Sequence, residues 1–460
     1  MAKSSDAPVV VLGGGLAGYS AAIEAAERGA RVLVIDKAAE PGGSTLRSGG
    51  SFAFAGTDLQ AAHGIEDSDD LLRRDLLRGG GEQSDPQLVD LYVRRQLAAY
   101  HWLKRCGVDF DGVSLSGNQS VPRSHGVDIG RSHALIRAAA TAHHSVTELL
   151  ATTTEALTQE NGRIVGVVTR DSDGTATERP ARAVVLATGG FARSRRAIST
   201  FAPQLSNARR MGGEHNTGDG MYLAMSVGAD LADVGTIKAT FGVTADVPGM
   251  PPNPTLLNAL YRGGIVVNSR AERFVDESIS YKLIGGVCLQ QPGGLGVQIF
   301  DEQVMEQTIP GKLVNNYRGA LEQGYLLQAD SIRELAVAAG LDPDALAATV
   351  DGYNDAVRST GDTDFGRTHL SSGYGELPTI NRAPYYAYPT TAGLTSTYGG
   401  LRVDVEMRVA HVLGGTVPGL YAAGEIVGGF HGNAYMSGSS LGKSVIFGRA
   451  AGRGAADTPM

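Results

Sequence analysis

The stretch VVVLGGGLAG at residues 9–18 decides the fold. Its first four residues are a continuous apolar run, which is typical of a buried parallel strand. Residues 20–28 then predict an alanine-rich helix, and residues 31–35 predict a second strand that ends at Asp36. Because a glycine turn joins the first strand to the helix, the order predicts a βαβ unit, and with it an α/β fold built on a parallel sheet with helices.

Each glycine of the turn has a predicted physical role. Gly13 permits the tight turn, Gly15 lets a pyrophosphate approach the backbone, and Gly18 lets the helix and strand pack closely. The helix N-terminus presents its positive dipole end to the phosphates. Leu16 and Ala17, which lie between Gly15 and Gly18, are therefore also predicted to bind the cofactor. The unit is therefore predicted to be a Rossmann-like dinucleotide-binding domain.

Asp36 and the loop that follows it indicate which dinucleotide binds. A carboxylate at this position accepts hydrogen bonds from ribose hydroxyls, which suits an unphosphorylated adenosine ribose. The loop GGSTLRSGG at residues 42–50 continues a glycine- and hydroxyl-rich wall, whereas NAD-binding domains usually proceed straight to another helix. A wall of this length favours FAD over NAD, and favours a cofactor wall over a flexible surface loop. The residues predicted to bind FAD here are Asp36, Lys37, Gly43, Ser44, Thr45, Ser48, Gly49 and Gly50.

Two later segments predict further cofactor wall. Residues 183–190 form an apolar strand that ends in a glycine turn, and residues 419–425 form a short strand that ends in Gly-Glu. Glu425 is predicted to bind the ribityl hydroxyls. The further predicted cofactor residues are Thr188, Gly189, Gly190, Asp219, Glu425, Ser440 and Leu441.

The distance between these segments predicts a discontinuous cofactor domain. The last strand lies about 400 residues from the first, so the FAD-binding domain must be interrupted. We expect residues 1–233 to form its first part, residues 234–380 an inserted α+β capping domain for the substrate, and residues 381–460 its second part.

Composition excludes several classes of function. The net charge of −8 argues against a nucleic-acid partner. Cys106 and Cys288 have neither metal-ligand nor disulfide-framework spacing, so no metal is predicted. No apolar run reaches the roughly 18 residues that a membrane helix needs, and the short polar start at residues 1–8 has no signal-peptide core. These features predict a cytoplasmic protein without a membrane span.

The chain resembles the fumarate reductase/succinate dehydrogenase flavoprotein superfamily, in particular its soluble branch. That branch includes soluble fumarate reductases, urocanate reductase and the 3-ketosteroid dehydrogenases. The resemblance covers essentially the whole chain and rests on the motifs VVVLGGGLAG, GGSTLRSGG, VVLATGGFA, HNTGDGMYLAMSVGA, RFVDES, TYGGLRVD, GLYAAGE and SLGKSVIFGRAAGR. It implies an FAD domain with an inserted cap and an active site where the cap meets the isoalloxazine. Membrane-complex members carry a histidine in the early loop for covalent attachment; residues 44–47 offer none, so FAD is predicted to be non-covalent.

Two positions separate the chemistries of this superfamily. Fumarate reductases carry a motif like RFVNExxTR, whose last arginine delivers a proton, and here Tyr281 stands at its place. They also carry a motif like GGxHGANR, whose arginine clamps a carboxylate, and here Tyr435 replaces it. Arginine is a permanently charged fork matched to carboxylates, whereas a phenol suits a ketone or its enolate. A dicarboxylate substrate is therefore not expected, since its charges would be buried uncompensated.

The 3-ketosteroid dehydrogenases show this tyrosine pattern, and the sequence YMSG at residues 435–438 resembles their Δ4-(5α) subgroup. The resemblance implies that Tyr281 is the base at the α carbon, while Tyr435 and Ser437, with an amide near Gly438, bind the carbonyl oxygen. His431 is a further candidate for a hydrogen bond to a substrate oxygen. Because the reference pKa of tyrosine is near 10, Tyr281 needs a lowered pKa or a relay to act as base. The final helix, which starts near Ser440, is expected to direct its positive end at the flavin.

The expected function is FAD-dependent α,β-dehydrogenation of a cyclic ketone, such as a 3-ketosteroid or a cyclohexanone derivative. Its hydride passes to flavin N5, and an external electron acceptor that the sequence does not identify reoxidises the flavin. One alternative keeps the fold but acts on a C=C or C–C bond beside a carboxylate, as a fumarate reductase-like or tricarballylate-type enzyme. Another is an electron-transfer or binding module without its own small-molecule substrate.

Overall fold

The computed structural model describes residues 7–311, 314–359, 364–371 and 374–459. Its strands are β1 (Val9–Leu12), β2 (Val32–Ile35), β3 (Ser51–Ala53), β4 (Val113–Ser114), β5 (Ser124–Gly126), β6 (Val146–Leu149), β7 (Thr153–Glu160), β8 (Arg163–Arg170), β9 (Ala176–Pro180), β10 (Ala183–Leu186), β11 (Arg209–Arg210), β12 (Leu231–Ala232), β13 (Thr240–Thr244), β14 (Ile265–Val267), β15 (Gly296–Asp301), β16 (Leu327–Ala329), β17 (Tyr385–Leu394), β18 (Gly400–Leu401), β19 (Arg408–Ala410) and β20 (Thr416–Ala422). Its helices are α1 (Leu16–Glu27), α2 (Asp58–Ala62), α3 (Asp69–Gly79), α4 (Pro86–Arg105), α5 (Ile129–Thr141), α6 (Arg195–Phe201), α7 (Asp219–Met225), α8 (Tyr281–Leu289), α9 (Glu302–Met305), α10 (Tyr317–Glu322), α11 (Ile332–Ala338), α12 (Pro343–Ser359) and α13 (Ser439–Asp457). None of these described helices has both the length and the apolar character needed to cross a membrane.

The first sheet, which we call the nucleotide sheet, has the strand order β19-β20-β10-β1-β2-β6. Strand β1 pairs in parallel with β2 and β10, and the β2–β6 and β10–β20 pairs are parallel as well. Only β19 runs antiparallel, at one edge. All four residues of β1 are buried, which explains why this strand reads as a continuous apolar run. The predicted α/β fold with a parallel sheet is confirmed.

The first helix begins earlier than the sequence pattern indicates. We expected the helix over residues 20–28, but α1 begins at Leu16 and ends at Glu27. The Leu16 amide donates to Thr45 Oγ1 at 3.1 Å, which satisfies one of the amides that a helix N-terminus leaves without an internal partner. Because the hydroxyl comes from a distant loop, no residue next to the helix signals this start.

The second sheet, which we call the cap sheet, is organised around β17. Its strand order is β11-β17-β15-β14, and β13 and β16 also pair with β17. Strands β11 and β17 lie outside residues 234–380, the range expected for the cap. The three-part division of the chain stays a proposal. Because β17 pairs with β15 and β13, we assign β17 to the capping part.

Candidate active site

The turn between β1 and α1 allows very close backbone approach. Gly13 has a φ of +106°, and a Cβ there would lie 2.3 Å from the Ala187 carbonyl oxygen. A Cβ on Gly18 would lie 1.9 Å from the Gly13 carbonyl oxygen. Side chains at either position would therefore push α1 away from the sheet, and the N-terminus of α1 would lose its place at the carboxyl ends of β1 and β10.

Asp36 and Lys37 follow β2 and hold the edge of this turn. The Asp36 carboxylate accepts hydrogen bonds from the Gly14 amide at 2.6 Å and from the Ala38 amide at 2.8 Å. Lys37 Nζ donates to Asp219 Oδ2 at 2.5 Å, at the first residue of α7. The carboxylate of Asp36 thus fixes the glycine turn while its half-buried side chain still lines the central cavity.

Glu425 is half-buried in the turn after β20, where three polar groups surround its carboxylate. Its Oε1 accepts from the Thr397 amide at 2.8 Å, and its Oε2 accepts from Asn216 Nδ2 at 2.9 Å. Asn216 Nδ2 also donates to Ser44 Oγ at 2.8 Å. Burial raises the pKa of the Glu425 carboxyl, against these hydrogen bonds, which lower it. Asn216 links Glu425 to Ser44, a role that the motif HNTGDG around it does not indicate.

A central cavity of about 710 Å³ runs between the nucleotide sheet and the cap sheet. The predicted cofactor residues that line it are Gly13, Gly15, Leu16, Ala17, Asp36, Lys37, Gly43, Ser44, Thr45, Ser48, Gly49, Thr188, Gly189, Asp219, Glu425, Ser440 and Leu441. Three predicted residues lie behind this lining. Gly18 packs against the Gly13 carbonyl, Gly50 against the Val127 carbonyl, and Gly190 against Thr397 and Glu425. Their contacts are with protein atoms, so they support the wall from behind.

The predicted catalytic tyrosines lie together on another part of this cavity. Tyr281 is the first residue of α8, and its ring centroid lies 6.1 Å from that of Tyr435 at an angle of 73°. Tyr435 stacks on Tyr398 at 4.9 Å with the rings 8° from parallel. All three tyrosines and Ser437 line the cavity. We call Tyr281, Tyr398 and Tyr435 the tyrosine wall; Tyr398 had stayed outside the predicted catalytic set.

The Tyr435 hydroxyl is held by the start of the last helix. The Gly438 amide, at the N-cap of the 19-residue helix α13, donates to Tyr435 Oη at 3.0 Å. An amide near Gly438 had been expected to bind the substrate oxygen; the Gly438 amide itself is engaged by the phenol, and the wider expectation stays a prediction. Because Tyr435 Oη accepts this bond, its own proton remains available for donation into the cavity.

Burial keeps the phenols of the tyrosine wall neutral. It raises the pKa of Tyr281 well above 10, and the neighbouring phenols of Tyr435 and Tyr398 raise it further, whereas the Ser437 hydroxyl lowers it. Burial also raises the pKa of Tyr435. Tyr281, the predicted base, is therefore a phenol that holds its proton more firmly than a free tyrosine does.

His431 lies outside the cavity lining. Its ring packs on Tyr398 at 4.5 Å and on Tyr435 at 5.3 Å, and its Nε2 lies 3.4 Å from Ser440 Oγ. Burial holds the pKa of this imidazole well below 6.5, so the ring is neutral. The structure brings His431 to the back of the tyrosine wall, and its contact with a substrate oxygen remains a prediction.

Two residues beside Tyr281 were not predicted from the sequence: Tyr261, which holds its backbone, and Lys282, which follows it in the chain. The Tyr261 hydroxyl accepts from the Tyr281 amide at 2.8 Å and donates to the Ile279 carbonyl at 2.7 Å. The next residue, Lys282, is fully buried; its Nζ donates to Thr240 Oγ1 at 2.5 Å and lies 4.7 Å from the Tyr398 ring centroid. No motif contains Tyr261, and a lysine next to a predicted catalytic residue carries no signal of burial.

Residues 8–441 match the protein family described as FAD binding domain. The chain belongs to this family. It is 32% identical over 458 residues to a fumarate reductase (cytochrome) of Shewanella frigidimarina, covering 97% of this chain and 76% of the relative. The chain is an FAD-dependent oxidoreductase, as the sequence predicted, and its relatives include a fumarate reductase and a 3-oxosteroid 1-dehydrogenase.

Two solved structures of this family have the same fold. The open conformation of a flavocytochrome c3 fumarate reductase has a TM-score of 0.80 at 30% identity, covering 98% of this chain and 78% of that one. The 3-ketosteroid-Δ4-(5α)-dehydrogenase from Rhodococcus jostii RHA1, in complex with 4-androstene-3,17-dione, has a TM-score of 0.76 at 28% identity, covering 98% and 97%. The predicted resemblance to fumarate reductases and 3-ketosteroid dehydrogenases is confirmed.

The residues around the central cavity fit FAD. Thr188 Oγ1 is buried at the cavity wall and has no hydrogen-bond partner in the described part of the chain, which is costly unless a ligand supplies one. A Cβ on Gly43 would meet no atom within 4 Å, so the loop leaves open space beside the cavity. The half-buried Glu425 carboxylate lines the cavity and offers acceptors to hydroxyls. These groups, with the N-terminus of α1, match a cofactor that carries both phosphates and hydroxyls.

Proposed function

We propose that the protein desaturates a cyclic ketone, such as a 3-ketosteroid or a cyclohexanone derivative, to the α,β-unsaturated ketone. The observation that carries the proposal is the convergence of Tyr281, Tyr435 and Ser437 on one wall of the cavity where FAD binds. These hydroxyls are neutral donors, and neutral donors suit a carbonyl oxygen better than a carboxylate. Bound FAD, which we propose to be non-covalent, supplies the hydride acceptor.

Tyr435 and Ser437 bind the carbonyl oxygen in this proposal. Tyr435 Oη accepts from the Gly438 amide at 3.0 Å, so its proton points away from that bond and toward an acceptor in the cavity. The amide belongs to the N-terminus of α13, whose positive end strengthens the phenol as a donor. As the α carbon loses its proton, charge develops on the oxygen, and donors fixed in advance stabilise that charge.

Tyr281 holds or moves the proton at the α carbon. The N-terminus of α8 and the Tyr261 hydroxyl fix its backbone. Because burial raises the pKa of Tyr281, the phenol is protonated at neutral pH and is ready to donate to an enolate. Desaturation needs the opposite transfer, so Tyr281 must first release its own proton, and this step makes the oxidation favour high pH.

A carboxylate substrate is the second candidate, and Arg262 is the observation that favours it. Arg262 is half-buried and lines the cavity with Asn258 and Asn315. Its guanidinium lies close enough to the Tyr317 hydroxyl to lower the pKa of that phenol, against a burial effect that raises it to about 12. No carboxylate of the described residues forms an ion pair with Arg262. This one guanidinium supports binding of an acid such as fumarate, or of a ketone with an acidic tail.

Anaerobic mixing of the FAD-loaded protein with a panel of 3-ketosteroids, cyclohexanones and dicarboxylates tests the proposal. We expect a ketone to bleach the oxidised flavin absorbance, and the matching enone to restore it after chemical reduction. The Arg262→Gln variant separates the candidates, because it removes the guanidinium and leaves the tyrosine wall intact. If only dicarboxylates exchange electrons with the flavin, and Arg262→Gln abolishes that exchange, the ketone proposal is wrong and the second candidate replaces it. The external electron acceptor and the cytoplasmic location remain predictions.

A further inference from the structure

A second, shallow pocket shares no lining residue with the central cavity. It is lined by Arg195 and Arg196 at the start of α6, Arg210 in β11, and the serines Ser199 and Ser206. We call it the arginine pocket. Three guanidinium groups thus converge on one site in a chain whose net charge is −8.

The charges of the arginine pocket are not compensated by the described protein. Many arginines among the described residues form ion pairs with an Asp or Glu, as Arg137 does with Glu148 at 3.0 Å. No such pair involves any of the three pocket arginines among the residues that the structure describes. Arg196 instead lies over the Tyr222 ring at 4.5 Å. Three like charges in one pocket repel each other, so an anion bound between them would relieve that repulsion.

The donors of the arginine pocket are its guanidinium groups. Arg210 Nη1 is shielded from solvent and has no hydrogen-bond partner in the described ranges, which costs free energy until an acceptor reaches it. The serines do not compete for that role. Ser199 Oγ donates to the Arg196 carbonyl at 3.0 Å, and Ser206 Oγ donates to the Pro203 carbonyl at 2.6 Å. Their hydroxyl protons are therefore used within the pocket wall.

We propose that the arginine pocket binds a phosphate group of a small molecule. A carboxylate has two oxygens and is satisfied by one guanidinium fork, whereas a phosphate dianion accepts from several forks at once. The site is distinct from the predicted FAD pyrophosphate site, because that site is formed by the glycine turn and the N-terminus of α1. The phosphate comes either from free inorganic phosphate or from the phosphate chain of a nucleotide such as ADP.

Titration calorimetry on the FAD-loaded protein tests the proposal, because FAD then fills the cofactor site and ADP has no access to it. Inorganic phosphate and ADP are titrated separately at constant ionic strength, up to about 10 mM. We expect one saturable site. At least tenfold tighter binding of ADP identifies a nucleotide phosphate as the ligand, and equal or tighter binding of inorganic phosphate identifies the free ion.

Single-charge variants localise the site. Arg195→Gln and Arg210→Gln should each weaken binding at least tenfold, and Arg195 is exposed, so its replacement leaves the fold intact. The matched control is Arg94→Gln, an exposed arginine on α4 outside the pocket, which should bind as the unchanged protein does. Absence of binding at 10 mM, which is about the weakest Kd the titration resolves, would overturn the proposal. Equal weakening in Arg94→Gln and Arg195→Gln would overturn it too, because that result means general charge attraction.

Discussion

The two ends of the central cavity are built in different ways. The glycine end is formed by residues 13–18 with Asp36. Its wall is mainly backbone, which can pack this closely because Gly13 and Gly18 have no side chain. At the tyrosine wall, the surface is made of three phenols from separate chain segments, held by ring stacking and by the Gly438 amide. The comparison teaches that the cavity wall at the glycine end is shaped by backbone, whereas the reaction proposed at the other end depends on a few side-chain hydroxyls.

Removing one hydroxyl of the tyrosine wall should have the largest effect on turnover. Tyr281→Phe keeps the ring that packs 6.1 Å from Tyr435 and removes only the hydroxyl that we propose moves the α proton. General acid–base groups contribute about 10²- to 10⁴-fold, so we expect kcat/KM to fall about 10³-fold while the FAD absorbance per protein is unchanged.

The control for this variant is Tyr385→Phe, a tyrosine of β17 that does not line the cavity. Steady-state assays with the best substrate of the panel should show full activity for this control. Near-normal kcat/KM in Tyr281→Phe would remove Tyr281 from the mechanism, and equal losses in the two variants would point to a general effect on the cap sheet.

Adding one methyl group at the glycine end should act on FAD binding instead. In Gly18→Ala, the new Cβ would lie 1.9 Å from the Gly13 carbonyl oxygen, so α1 must shift. Overpacking of this kind costs about 1–3 kcal/mol, which corresponds to about a 5- to 150-fold weaker FAD affinity by titration of the apoprotein.

Gly352→Ala is the matched control, because Gly352 also lies in a helix, α12, but its Cβ would meet no atom within 4 Å. We expect unchanged FAD affinity there and a small gain in stability. If Gly18→Ala binds FAD as tightly as Gly352→Ala does, the close contact does not control the cofactor site.

The glycine end was predictable from sequence because its determinants are local. Gly13 and Asp36 flank one βαβ unit, whose strands and helix follow one another along the chain. The start of α1 was not predictable, since the hydroxyl that accepts from Leu16 belongs to Thr45, 29 residues along the chain. The edge of the cap was not predictable either, because the pairing of β17 with β15 is a long-range contact.

The tyrosine wall was reached only through resemblance to known enzymes. Periodicity says nothing about which of 16 tyrosines face a cofactor. Resemblance identified Tyr281 and Tyr435, but not the Tyr261 hydroxyl behind Tyr281 or the stacking of Tyr398 on Tyr435. Those contacts arise from side chains that tertiary packing alone brings together.

The raised pKa of Tyr281 predicts a pH dependence that the glycine end does not share. Burial holds this pKa well above 10, so throughout pH 6–9 (about the range of stable protein) the phenolate fraction rises about tenfold for each pH unit. The rate constant for flavin reduction by the ketone should rise with the same slope, as followed by stopped-flow absorbance. A flat rate profile would mean that a different group accepts the α proton.

Lys282 gives the smallest expected effect, and it acts on stability. Its ammonium is buried behind the tyrosine wall, near the N-terminus of α8, and it faces Tyr281, Tyr398 and Glu425. Burial lowers the pKa of Lys282 from 10.5 to about 7, although the Glu425 charge opposes this shift. Between these two values the unfolded chain holds a proton that the folded protein has released, so the free energy of unfolding should rise with pH from 7 to 10.

Lys282→Met removes this titration and keeps most of the buried volume. The partners of Nζ remain satisfied in the variant, because Thr240 Oγ1 and Thr395 Oγ1 lie 2.6 Å apart and bond to each other. We therefore expect urea unfolding of the apoprotein to show a gain of about 1–2 kcal/mol near pH 7, which falls with rising pH and reverses before pH 10, because the unchanged protein gains stability over that range. Loss of stability at both pH values would mean that the ammonium is a stabilising part of the tyrosine wall. The tyrosine wall would then be held by a buried charge as well as by ring stacking, whereas the glycine end is held by close backbone packing alone.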